Sequence, residues 1–156
     1  VRGCKSEQRV VVGCPFITCA VKKQGIEFCC DCHDSQTCEK WAKHREFGRQ
    51  HDTFKCYQKL EDDISAIAQN GIDSFEEQQK AREQILKEIL AEFNEGRSRS
   101  YYCIAATVME IEDLKEVLGR AQEEYEGLGI KDKSRVMHTI LDSIASERNY
   151  YLRLRK

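Results

Sequence analysis

The chain has 156 residues, a formal net charge of −2 and nine cysteines. Its length suits one domain or two small units, and its near-neutral charge argues against a general polyanion binder. The longest apolar run, Tyr101 to Ala106, is far too short to span a bilayer, and no secretory signal opens the sequence, so a cytoplasmic protein without a membrane attachment is expected.

The composition is sharply uneven. Cys4, Cys14, Cys19, Cys29, Cys30, Cys32, Cys38 and Cys56 all fall in the first 56 residues, while Cys103 stands alone in the rest. Leucine behaves oppositely, with Leu60 the first. Apart from cysteine, residues 1–56 hold 14 apolar residues against 40 in residues 57–156. Burial alone therefore offers the front little core, and the back has an ordinary supply. The front carries 10 Lys/Arg against 7 Asp/Glu and the back 15 against 20, a mild asymmetry that singles out no partner.

Residues 1–13 show no clear period, although Val10-Val11-Val12 suits a short strand or a buried knot. Pro15 fits the first turn of a helix reaching Gln24, with Gly25 as its stop. Cys29-Cys30-Asp31-Cys32-His33 reads as a compact turn. Ser35 or Thr37 then caps a helix to about Phe47, ended by Gly48, with Cys38 in its first turn. Phe54, Tyr57, Leu60, Ile64 and Ile67 recur at helical spacing up to Asn70-Gly71.

Ser74 and Glu77 form a capping box for a helix to about Glu95, whose inner face is Ile85, Leu86, Ile89, Leu90 and Phe93. Ser98 or Ser100 caps a helix through Tyr101, Ile104, Ala105 and Val108. A further helix runs from Ile111 to Tyr125 with Leu114, Val117, Leu118 and Ala121 inward. Asp132 caps the last, which carries Val136, Met137, Ile140, Leu141 and Ile144. Leu152 and Leu154 alternate with arginines, as in a short strand or an extended tail.

Cys14-x4-Cys19 and Cys29-x2-Cys32 are two close pairs nine residues apart. Two such pairs can close a tetrahedral thiolate site, and zinc suits it because it imposes no electronic geometry and has no redox chemistry. A structural zinc ion contributes roughly 10–16 kcal/mol in small modules, enough to order a segment without leucine. Cys4 and Cys38 are surplus to one site, and Cys38 opens a helix whose dipole favours a thiolate. Zinc is the favoured occupant. An iron–sulfur cluster, disulfides and free thiols stay open behind it. Cys56 and Cys103 lie on apolar helical faces and read as small buried hydrophobes.

Gly3-Cys4-Lys5, Cys14-x4-Cys19-Ala20 and Gly25-Ile26-Glu27-Phe28-Cys29-x2-Cys32-x5-Cys38-Glu39-Lys40 resemble the DUF3795 family of cysteine-rich bacterial and archaeal proteins. The similarity continues through Asn94-Glu95-Gly96-Arg97-Ser98-Arg99-Ser100-Tyr101-Tyr102-Cys103 and the ending Tyr151 to Lys156. The resemblance implies metal binding without an assigned activity, with Cys4, Cys14, Cys19, Cys29, Cys32 and Cys38 at the ligand positions. Family members commonly carry a further upstream cysteine segment, and this sequence begins after that point; Thr37 stands where relatives often have Pro.

Arg97 and Arg99 precede a helix, so two guanidiniums and free backbone N–H groups make an expected anion-binding site. Lys40, Lys43, His44, Arg45 and Arg49 cluster on one segment, which keeps nucleic acid as a partner ranked behind protein. No acid, base and nucleophile set marks an enzyme. The expected architecture is mainly α, with an irregular cysteine-rich metal-binding module over residues 1–51 packed on a C-terminal helical bundle over residues 52–156. The expected function is a zinc-binding protein with a structural Cys-ligated site and a binding or regulatory role. A redox or metal sensor and a nucleic-acid-binding zinc module are the alternatives.

Overall fold

The structure, a computed structural model, describes residues 13–50 and 59–152. Cys4, Val10-Val11-Val12, Phe54, Cys56, Tyr57 and Leu154 lie outside the described residues. The chain divides into two compact units, Val1–Gln50 and His51–Lys156, and the described part of each is mainly helical with no strand. Among the described residues no helix is long and apolar enough to cross a membrane.

In the first unit, α1 opens as an α-helical turn, Pro15–Ile17, and widens into a π-helix, Thr18–Gln24. Pro15 fits there because the first turn of a helix leaves its N–H groups unused. Gly25 ends α1 with φ 67°, a left-handed conformation that L side chains resist. Two short 3-10 turns, Cys29–Asp31 and Ser35–Thr37, follow. α2 spans Glu39–Gln50 and runs through Gly48, which was expected to stop it. An interior glycine costs only about 1 kcal/mol, so it ends a helix only where the backbone turns left-handed. Cys38 has extended backbone (φ −67°, ψ 109°) and stands just before α2, not within its first turn.

The second unit contains α3 (Leu60–Phe93), α4 (Arg99–Val108), α5 (Ile111–Glu124) and α6 (Ile130–Glu147). α3 breaks at Gly71 (φ 80°, ψ 167°) and resumes at once. Ser74 therefore lies inside the resumed helix and does not cap it. Asp132 likewise sits in the first turn of α6, whose N-cap is Gly129, and its carboxylate accepts a hydrogen bond from Arg135 at 2.7 Å.

The helical stripes read from the sequence pack together as one core. Ile85, Ile89 and Phe93 of α3 meet Tyr102 and Ala105 of α4, Leu114, Val117 and Ala121 of α5, and Met137, Leu141 and Ile144 of α6. Leu152 is also buried there as irregular chain. α6 closes with Asn149 at φ 58°, and the Tyr150 N–H reaches back to the Ala145 carbonyl at 2.8 Å. That is a Schellman ending, which satisfies a carbonyl the helix would leave bare.

Two cations tie the second unit together. The Arg148 guanidinium pairs with the buried carboxylate of Asp113 and with Glu116 at 2.8 Å, while Tyr150 donates to Asp113 at 2.7 Å. Arg82, with a side chain only 11% exposed, donates to the carbonyls of Ala106, at 3.2 Å, and Met109. Those carbonyls belong to the open end of α4, where no further helical turn supplies N–H groups to donate to them. Replacing Arg82 by Met is expected to cost about 1.5–3 kcal/mol, the range for hydrogen bonds to a charged group. The check is the urea midpoint of the second unit, and an unchanged midpoint would refute the assignment.

Candidate metal centre

α1 presents Phe16, Cys19 and Ala20 to a cavity that the following turns complete with Cys29, Cys32, Ser35 and Cys38. The start of α2 closes it with Lys40 and Trp41. The 3-10 turn is fixed by the Cys32 N–H donating to the Cys29 carbonyl at 3.2 Å, so both thiols of that pair are held on one short loop. The Ser35 N–H then donates to the Cys32 carbonyl at 3.0 Å and leads the chain round to Cys38. Cys19, Cys29, Cys32 and Cys38 thus come from α1, the first turn and the approach to α2, yet line one cavity.

The rest of the lining mixes the apolar Phe16, Ala20, Ile26 and Trp41 with Gln24, Ser35 and Lys40. Phe16 meets Trp41 edge-on at 5.4 Å between ring centroids, and His44 stacks on Trp41 at 5.5 Å. His44, counted in the sequence with a basic cluster, is therefore part of this aromatic packing, and Arg49 of the same cluster pairs with Glu46 at 3.3 Å. The cavity is small and open to solvent at its mouth. Among the described residues no three His, Cys, Asp or Glu side chains already stand together as a set that could hold one ion.

Burial, followed by repulsion from Cys38, Cys32, Cys19 and Cys30, pushes the Cys29 thiol up from its ordinary value. Cys32 donates its S–H to the Gln24 carboxamide oxygen at 3.1 Å. Cys30 is exposed, and burial together with the adjoining Asp31 carboxylate raises its thiol as well. Cys14 is the extended residue (φ −130°, ψ 125°) ahead of α1 and does not line the cavity. His33 is fully exposed beside Asp34, at 3.1 Å. All seven described cysteines are free thiols.

Arg97 and Arg99 lie at the start of α4, where Ser98 takes the N-cap position but its side chain does not cap. Its hydroxyl meets His138 Nε2 at 2.7 Å and Ser134 at 3.2 Å. Ser134 donates to Glu95 Oε2 at 2.7 Å and lies 2.9 Å from the Tyr102 hydroxyl, which reaches the Phe93 carbonyl at 3.1 Å. The carboxylate of Glu95 thus occupies the turn where an external anion was expected. Its hydrogen bonds from Ser134 and Ser98 hold its carboxyl down at about 2. Sequence reading missed Ser134 and His138 here, although their four-residue spacing sets the buried Ser134 and the half-buried His138 on one face of α6.

The acid side of stability tests this arrangement. A depressed carboxyl contributes stability above its unfolded value near 4.5, and loses it as pH falls toward about 2. The difference in urea midpoint between the wild type and Glu95→Gln is therefore expected to shrink steadily over that interval. A difference that stays constant with pH would refute the assignment.

No family model, curated protein or solved structure matches this chain.

Proposed function

We propose that this is a metal-binding protein whose N-terminal unit is ordered by thiolate–metal bonds through Cys19, Cys29, Cys32 and Cys38, in a binding or regulatory role. The single observation that carries this reading is the convergence of those four thiols on one cavity from separate elements. Covalent-strength bonds suit a segment in which the buried apolar residues are only Ile17 and Ala20 among those described. The resemblance to DUF3795 points the same way. One structural zinc ion is the simplest form of the reading, because zinc accepts four thiolates without redox chemistry.

Thiol counting on reduced, anaerobically purified protein tests it. Thiols protected from alkylation until a chelator is added, with metal bound in whole-number proportion to the chain, support the proposal. Freely reactive thiols and no metal overturn it. A redox or sensing role is a second reading, favoured by the hydrogen-bonded turn that holds Cys29 and Cys32 together as a dithiol.

A further inference from the structure

The geometry points to Gln24 as a positioning residue of the cysteine site, the side chain that holds the Cys32 sulfur both before and after a metal ion binds. The inference rests on the metal-binding reading above and adds a residue that serves it. Gln24 lines the cavity together with Cys19, Cys29, Cys32 and Cys38. Its carboxamide oxygen accepts the Cys32 S–H at 3.1 Å, across eight positions of sequence. The backbone behind it is fixed. Gln24 is the last residue of the π-helical part of α1, Gly25 turns left-handed directly after it, and the Ile26 N–H bonds back to the Ala20 carbonyl at 3.0 Å. A π-helix bonds residues five apart, so Cys19 and Gln24 fall on one side of α1 and both line the cavity.

Metal binding reverses what Cys32 asks of its neighbour. As a thiol it donates its proton. As a metal ligand it has released that proton to solvent and is a thiolate, which only accepts. A carboxamide meets both demands, because turning it over puts its NH2 group where its oxygen was. An ionised glutamate accepts but cannot donate, and would repel the thiolate. A methionine has no N–H to give. A partner that orients a ligand in this way commonly carries 10–100-fold in metal affinity. Gln24 is exposed to solvent, so the lower end of that range, about tenfold, is expected here.

The test is zinc affinity of the full chain, reduced and free of oxygen, measured by competition with a coloured chelator. Wild type is compared with Gln24→Met, Gln24→Glu and Gln24→Lys, which share an unbranched stem and differ in what they offer the sulfur. Gln24→Met is expected to bind zinc about tenfold more weakly than the wild type, and Gln24→Glu more weakly still. Gln24→Lys, which keeps a donor, is expected to bind more tightly than Gln24→Met. A merely structural role at the end of α1 would leave the three variants alike, and that result would overturn the inference. Wild-type affinity in Gln24→Met would overturn it too, because charge alone would then explain the other two. Both results leave the metal-binding reading standing. A wild type that binds no zinc, with all its thiols freely reactive, would overturn that reading and this inference with it. Trp41 lines the cavity, so its fluorescence in each zinc-saturated variant checks that the site closes as in the wild type.

Discussion

A strong chelator added to the reduced protein is expected to abolish amide protection across residues 13–50 while leaving the helices of residues 59–152 protected. The first unit has little else to hold it. α2 contains no buried residue, and the buried apolar residues of the described part are Ile17 and Ala20. Fixing a backbone costs about 1–2 kcal/mol per residue, and so small a core cannot return that. Thiolate-bound zinc contributes roughly 10–16 kcal/mol in small modules, and the loss on chelation should be of that order. The second unit has its own core and should not respond. Hydrogen exchange read by mass spectrometry resolves the two. Trp41, the sole tryptophan, lines the cavity and should report the same event in its fluorescence. Undiminished protection of residues 13–50 after metal removal would refute the idea that metal orders them.

Phe93→Ala is expected to destabilise the helical unit by about 3–5 kcal/mol, the range for emptying a fully buried phenylalanine site. Phe93 is 0% exposed at the end of α3 and meets Tyr125 edge-on at 5.5 Å. Its carbonyl also receives the Tyr102 hydroxyl. The surroundings cannot collapse easily, because Tyr102 is held by both that bond and Ser134. A domain of this size is stable by about 5–15 kcal/mol, so the variant should sit near the edge of folding. Urea unfolding of the metal-loaded protein, followed by helical signal, measures it. A loss under about 1 kcal/mol would show that the site is less filled than its burial implies.

The helical unit was readable because its physics is local and periodic. Ile85, Ile89 and Phe93 recur at helical spacing and are buried for that reason. Gly71 was readable as a break because its φ of 80° is one that other residues resist. Caps were less readable. Ser74, Ser98 and Asp132 are all good capping types, yet none does that work here, since a hydroxyl or carboxylate can bond to whatever side chain packing brings near. Ser98 was claimed by His138 and Ser134, which lie about 40 residues away in sequence.

The cysteines divide in the same way. Cys29 and Cys32 were visible as a pair because one turn sets their separation. Cys14 and Cys19 look equally paired in the sequence, but the first precedes α1 and the second lies in its π-helical part. Which further cysteine lines the cavity depends on how α1 and α2 close round the turn, and Cys38 lines that space where Cys14 does not. Spacing alone cannot carry that information.

The carboxylate of Glu95 at the start of α4 changes what Arg97 and Arg99 could offer to a visiting anion. The turn already has a tenant on a leash only a few residues long. A tethered group competes at an effective concentration in the millimolar range or above. A free phosphate arriving there must displace it and break its bonds to Ser134 and Ser98. The turn that resembles an anion site in sequence thus already holds a carboxylate of its own, hydrogen-bonded to Ser134 and Ser98.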